Sequence, residues 1–186
     1  MREVRFLTTS PTEFRVKEED GASYLSGTAI VFNKYSETIY GFREIIEPTA
    51  CDGADMSQVI CKFNHDINQV LGTTWAGTLR FTIDEEGVHY SVRLPDTEAG
   101  RTVKVLAERG DLRGNSFEFM IAENGDEYKR ETVNGKPTYV RTVKFAGIYD
   151  FAPVMRPAYP DTNNTVSIRS FEDFLKSETQ PQIKRL

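Results

Sequence analysis

Six short stretches rich in β-branched and aromatic residues recur along the chain: Tyr24 to Phe32, Val59 to Asn64, Thr78 to Ile83, Val88 to Leu94, Ser116 to Ala122 and Tyr139 to Ile148. Gly, Asn and Asp punctuate the intervals between them, so the pattern specifies strands closed by turns. Glu85-Glu86-Gly87 suits a tight connection between two antiparallel strands, and Asn124-Gly125 and Asn134-Gly135 are dipeptides that close hairpins. Helix signals are fewer. One helix is expected after Asp96-Thr97, where Val103, Leu106 and Ala107 make an apolar stripe and Gly110 supplies the stop. A second is expected after Ser170, which forms an approximate capping box with Asp173 ahead of Phe174 and Leu175. The expectation is a mainly β chain with peripheral helices, of the α+β class.

No internal repeat, low-complexity tract or composition shift divides the chain. Its 186 residues at 39% hydrophobic content suit one domain over residues 1–175, followed by a polar tail, Lys176 to Leu186, that frays. No run nears the ~20 apolar residues of a membrane span. The opening Met1-Arg2-Glu3-Val4-Arg5 has no apolar stretch of signal-peptide type, so the expectation is cytosolic synthesis. Cys51 and Cys61 lack zinc-site spacing and, without a secretion signal, are expected to be free thiols. A net charge of −5 argues against a general nucleic-acid binder, which would show a basic face.

Chemistry narrows to a few positions. Imidazole takes and returns a proton near neutral pH, and the chain has two histidines, His65 and His89. On a strand over Val59 to Asn64, Val59, Cys61 and Phe63 share a face that His65 would terminate. His89 falls with Ser91 and Arg93 on the wetter side of its strand, the usual place for a surface residue. By pattern alone, a histidine at a core edge serves structure more often than catalysis.

The second patch is Gly110-Asp111-Leu112-Arg113-Gly114-Asn115-Ser116-Phe117-Glu118-Phe119. A strand starting at Ser116 would turn Phe117, Phe119 and Ile121 inward and Ser116, Glu118 and Met120 the other way. A serine there is ordinarily just polar surface. Glycine beside it lets backbone approach a ligand closely, as an oxyanion site requires.

These patches, with further anchors, resemble the prohead (head maturation) serine proteases of tailed bacteriophages, relatives in fold of the herpesvirus assemblins. Gly27-Thr28-Ala29-Ile30-Val31-Phe32 is similar to the family's opening Gly-x-Ala-x-x-Phe strand, and Phe42-Arg43-Glu44-Ile45-Ile46 with Pro48 to its Glu-x-Ile-x-Pro segment. Asn64-His65-Asp66 with Leu71-Gly72-Thr73 resembles the catalytic-histidine motif. Leu94-Pro95-Asp96-Thr97, then Arg109-Gly110-Asp111-Leu112 and Ser116-Phe117-Glu118-Phe119, resembles the approach to the nucleophile. Ile148 to Val154, with Pro157-Ala158-Tyr159 and Thr162, resembles the terminal block. The joint order covers the chain from about Gly27 to Thr162.

The resemblance implies an assemblin-like closed or partly open β-barrel and a serine endopeptidase with Ser116 as nucleophile and His65 as general base. Asp150 falls on the acidic third position, where glutamate is common; His89 is the alternative, since the herpesvirus enzymes use a second histidine. Asp66 is disfavoured because a continuing strand would turn it to the opposite face. Gly114 and Arg156 are implied near the oxyanion. Glu118 departs from the family's small residue and would set a carboxylate beside the nucleophile, and Asn115 replaces a hydrophobic one. The implied substrates are the scaffolding segment of the major capsid protein and the protease itself, acting inside the immature prohead in the host cytoplasm. No metal, cofactor, membrane or direct nucleic-acid contact is implied. The alternative is an assembly protein of the same fold with a degenerate site. A metal-dependent hydrolase on His65 and Asp66 lacks a second histidine at ligand spacing.

Overall fold

The computed structural model describes residues 2–8, 14–155 and 165–179, the side chains of 6–8, 165–167 and 179 excepted. Among the described residues ten strands form two sheets, with two α-helices beside them: β1 (Arg2–Thr8), β2 (Arg15–Glu19), β3 (Ala22–Val31), β4 (Phe42–Ile45), β5 (Ile60–Lys62), β6 (Val70–Thr73), β7 (Leu79–Ile83), β8 (Gly87–Arg93), α1 (Glu98–Arg109), β9 (Gly114–Val133), β10 (Lys136–Val154) and α2 (Thr165–Thr179). The first sheet runs β1-β9-β10-β5-β6, with β4 also on β10; the second runs β2-β3-β8-β7. The expected mainly β, α+β architecture is present. The closed form of the expected barrel is not formed among the described residues: the first sheet ends at β1 and β6 and the second at β2 and β7, so neither closes on itself.

The long β9/β10 hairpin organises the first sheet. Its turn is Asn134-Gly135, with φ of 51° and 77°, the left-handed pair that a two-residue hairpin of native twist demands. Asn124-Gly125 was expected to close another hairpin but lies within β9, where the pairing with β10 slips between Val143 and Phe145. Asn124 has φ 53°, and a Cβ on residue 125 would stand 2.7 Å from the Lys144 carbonyl oxygen. The same residue chemistry that turns a chain here makes a bulge in a strand that continues.

Alternation along β9 sends Phe117 and Phe119 into the core, where they meet Phe145 at 6.0 and 4.8 Å between ring centroids. Leu25, Ala29, Val88 and Val92 of the second sheet join the same buried cluster, and Tyr90 stacks on Phe151 at 5.8 Å, tying the sheets together. α1 begins and ends as expected: the Thr97 hydroxyl accepts from the Gly100 N–H at 3.3 Å, and Gly110 closes it at φ 75°. α2 starts earlier than expected, leaving Ser170 inside it. There Ser170 donates to Asp126 at 2.8 Å and Asp173 pairs with Lys176, so the serine and aspartate make no cap. Phe171 of α2 packs against Phe42 and Tyr128, which anchors the helix through Thr179 and includes the first residues of the expected tail. The rest of that tail lies outside the described residues.

Candidate active site

Three segments converge on β10. Ser116 of β9 pairs with Ala152, and Glu118 with Asp150, which sets Ser116 and Asp150 two rungs apart on one ladder, with Phe117 opposite Phe151 between them. β5 runs parallel to β10, with Ile60 opposite Asp150 and Cys61 opposite Phe151. Immediately after β5 the chain was expected to continue as a strand to Asn64. Instead it tightens into a 3-10 turn over Phe63–His65, with Asn64 at φ 52° and His65 at φ 61°. Left-handed backbone costs a side-chain-bearing residue about 1–2 kcal/mol, less for Asn, so these two positions need external support. They receive it from Asp66 N–H to the Phe63 carbonyl at 3.0 Å and from Met155 N–H to Asn64 Oδ1 at 3.1 Å. The turn lifts the imidazole off the strand face and over the hairpin.

His65 stands between the other two residues. Its Nε2 is 2.5 Å from Ser116 Oγ and its Nδ1 is 3.1 Å from Asp150 Oδ2. Asp150 is buried, and the same Oδ2 also receives Lys62 Nζ, whose side chain is 12% exposed. Asp150 Oδ1 has no partner among the described residues. Ser116 is fully buried, and its hydroxyl donates to the Arg5 carbonyl of β1 at 2.8 Å. Cys61 lies beside this group, but burial, with the Asp150 charge adding to it, pushes its thiol well above the ordinary range, so it stays protonated. Both cysteines are free, as expected, and both are buried.

The remaining sequence candidates fall elsewhere. His89 is on β8 of the second sheet, with Nδ1 at 2.9 Å from Thr28 Oγ1 and Nε2 at 3.2 Å from Asp84, so the structure does not bring it to His65. Asp66 bonds the Asn68 N–H and side chain within its own loop. Glu118 lies in ladder register beside the site and pairs with Arg2 at 3.6 Å. Gly114 opens β9 between Thr8 and Val154, and Arg156 lies outside the described residues. Asn115 is buried on the opposite side, accepting from the Tyr90 hydroxyl at 2.7 Å.

Three contacts were not legible beforehand. They are those of Lys62 with Asp150, of Asn64 with Met155 and of Arg5 with Ser116. The left-handed tolerance of Asn64 was the one local signal available.

A family model described as caudovirus prohead serine protease matches residues 10–177. No curated protein and no solved structure matches the chain.

Proposed function

Because the chain belongs to the caudovirus prohead serine protease family, and is thereby a serine peptidase of phage head maturation, we propose that it removes the scaffolding segment of the major capsid protein and processes itself inside the immature head. The observation that carries the reading is a single imidazole within hydrogen-bond reach of both a serine hydroxyl and a buried carboxylate. In this mechanism His65 Nε2 takes the Ser116 proton as Oγ attacks the peptide carbonyl carbon. Asp150 accepts from Nδ1–H, which fixes the tautomer and stabilises the imidazolium as it forms. His65 then gives its proton to the departing amine, leaving an acyl group on Ser116. Water, activated by the same imidazole, attacks that ester and restores the hydroxyl.

Donors for the tetrahedral oxyanion are proposed among main-chain N–H groups near Gly114 and around Arg156. Glu118, beside the nucleophile in register and tied to Arg2, is proposed to face substrate and to favour a basic side chain there. No step uses a metal or an organic cofactor. Among the described helices none is long and apolar enough to cross a membrane, and the partners proposed are capsid precursor and further copies of the protease. Co-expression with the capsid precursor, wild type against Ser116→Ala, tests the reading by intact mass. A discrete truncation of the precursor in the wild type alone is expected; identical full-length masses in both, in assembled proheads, would overturn it in favour of a non-enzymatic assembly role.

A further inference from the structure

The proposed nucleophile has no exposed surface (0%), so no substrate carbonyl reaches it until something moves. What lies against it is an extended chain. β1 runs antiparallel along the edge of β9 with Phe6 opposite Ser116, and the Ser116 hydroxyl donates to the carbonyl of the Arg5–Phe6 peptide bond. A hydroxyl has one proton, and here the Arg5 oxygen at 2.8 Å and His65 Nε2 at 2.5 Å both stand within reach of it. The contact is made by the carbonyl oxygen as acceptor, the atom that in acyl transfer must turn toward oxyanion donors. β1 therefore holds a peptide against Ser116 in an arrangement that stalls attack.

The charges on β1 are as specific as its backbone. Arg5 donates through Nε and Nη2 to Glu44 at 2.7 and 2.9 Å. Glu3 accepts the fork of Arg141 at 2.9 and 3.0 Å, and Arg141 also reaches Asp126 at 2.9 Å. Glu3, Arg5, Glu44 and Arg141 are all buried. Departure of β1 would open a groove in which Glu44 faces the vacated position of Arg5 and Arg141 that of Glu3. Arg141 also donates to Glu44 at 3.2 Å, so a strand with an acidic residue two positions before a basic one would restore both pairs with β1's charges, whereas one without them would leave Glu44 and Arg141 buried with only each other and Asp126 as charged partners among the described residues.

We propose that β1 is a resident occupant of the substrate channel, and that a substrate segment of acidic-x-basic pattern adds to β9 in its place. Recognition is then strand addition, with main-chain hydrogen bonds for affinity and the charged groove for selectivity. The proposal rests on Ser116 being the nucleophile. Arg2 and Met120 are opposite in register. Such cross-strand neighbours have Cα atoms about 4.5 or 5.5 Å apart, within the span of about 4.4–6.8 Å that a disulfide bridges.

The Arg2→Cys/Met120→Cys variant locks β1 when oxidised and frees it when reduced. Labelling of Ser116 by a fluorophosphonate, read by intact mass, and cleavage of a Glu-x-Arg peptide are both expected to fall at least tenfold on oxidation. On unmodified protein, the Glu-x-Arg peptide is expected to be cleaved at least tenfold faster than its Ala-x-Ala counterpart. Equal labelling and cleavage in both redox states, or equal rates for the two peptides, would overturn the channel assignment while inactive Ser116→Ala left the protease reading standing. Full capsid cleavage by Ser116→Ala would remove the nucleophile, and the channel with it.

Discussion

Asp150→Asn separates the ion pair that Asp150 makes with Lys62 from the catalytic role proposed for it. Asp150 is 1% exposed, and its Oδ2 meets both the Lys62 ammonium and His65 Nδ1. The amide keeps the volume but leaves Lys62 largely buried without its counter-charge, and breaking a buried pair from one side costs about 3–5 kcal/mol. At roughly 2–4 °C per kcal/mol for a chain of this length, the melting temperature is expected to fall by roughly 6–20 °C. Removing the ammonium as well, in Lys62→Met/Asp150→Asn, takes away both charges and is expected to recover most of that loss. Activity follows a different logic. An asparagine beside Nδ1 permits the wrong tautomer, which in a serine triad costs about 10⁴-fold in kcat, and the double variant does nothing to restore the carboxylate. Urea unfolding of the variants in a Ser116→Ala background, where self-cleavage is suppressed, gives stability; turnover of purified capsid precursor in the Ser116 background gives chemistry. Turnover of Asp150→Asn within tenfold of wild type would remove Asp150 from the triad. A coupling energy between positions 62 and 150 below about 0.5 kcal/mol, the floor for contacting residues, would refute the buried-pair argument.

Burial raises the Cys51 thiol from its ordinary 9.0 to about 12. Its contribution to stability is present below about pH 9 and is lost as pH rises toward 12, because the unfolded thiol ionises first; unfolding at pH 10 against pH 8 should show about 1 kcal/mol of loss that Cys51→Ala removes. Gly100→Ala would ordinarily strengthen a helix by about 1 kcal/mol, but its Cβ would stand 2.0 Å from the Pro95 carbonyl oxygen. Net destabilisation of about 1–3 kcal/mol is expected in thermal melts, and a rise would refute the steric reading. Arg141→Lys retains the charge but loses the fork that grips Glu3 and reaches Asp126. A loss of about 1.5–3 kcal/mol, the worth of a hydrogen bond to a charged group, is expected by urea titration.

The parts of this molecule legible in the sequence are those where local chemistry and tertiary structure agree. Thr97 and Gly110 bracket α1 because a cap needs only its own neighbours. β3, β7 and β8 follow from alternation, which is a local property. Failure begins where the same residues serve two geometries. Asn124-Gly125 is a turn in isolation and a bulge in a strand whose partner continues past it. Ser170 and Asp173 fit a cap by spacing, yet the aromatic cluster of Phe42, Tyr128 and Phe171 extends the helix on both sides of them. At the site, Ser116, His65 and Asp150 are legible only through family motifs; alternation sets Ser116 on a wet face, whereas His65 and the Arg5 carbonyl of the neighbouring strand stand against its hydroxyl. Lys62 and Arg5 were out of reach, because burial of a charge depends on what the rest of the chain brings to it.

That arrangement divides rigidity from motion. Ser116 and Asp150 sit on paired strands of a hairpin, two rungs of one ladder, and β5 delivers His65 by pairing with that same β10. Their backbone positions are therefore set by hydrogen bonds between strands, the rigid support that a catalytic constellation requires. Freedom to admit a substrate must come from elsewhere. β1 is the edge strand of this sheet, hydrogen-bonded only to β9 among the described strands, so it can leave without disturbing the ladder that holds the three residues. It is held by its ladder to β9 and by the charges at Glu3 and Arg5; an incoming strand can repeat the ladder with any sequence, so a substrate that also supplies those charges is the one that can replace it.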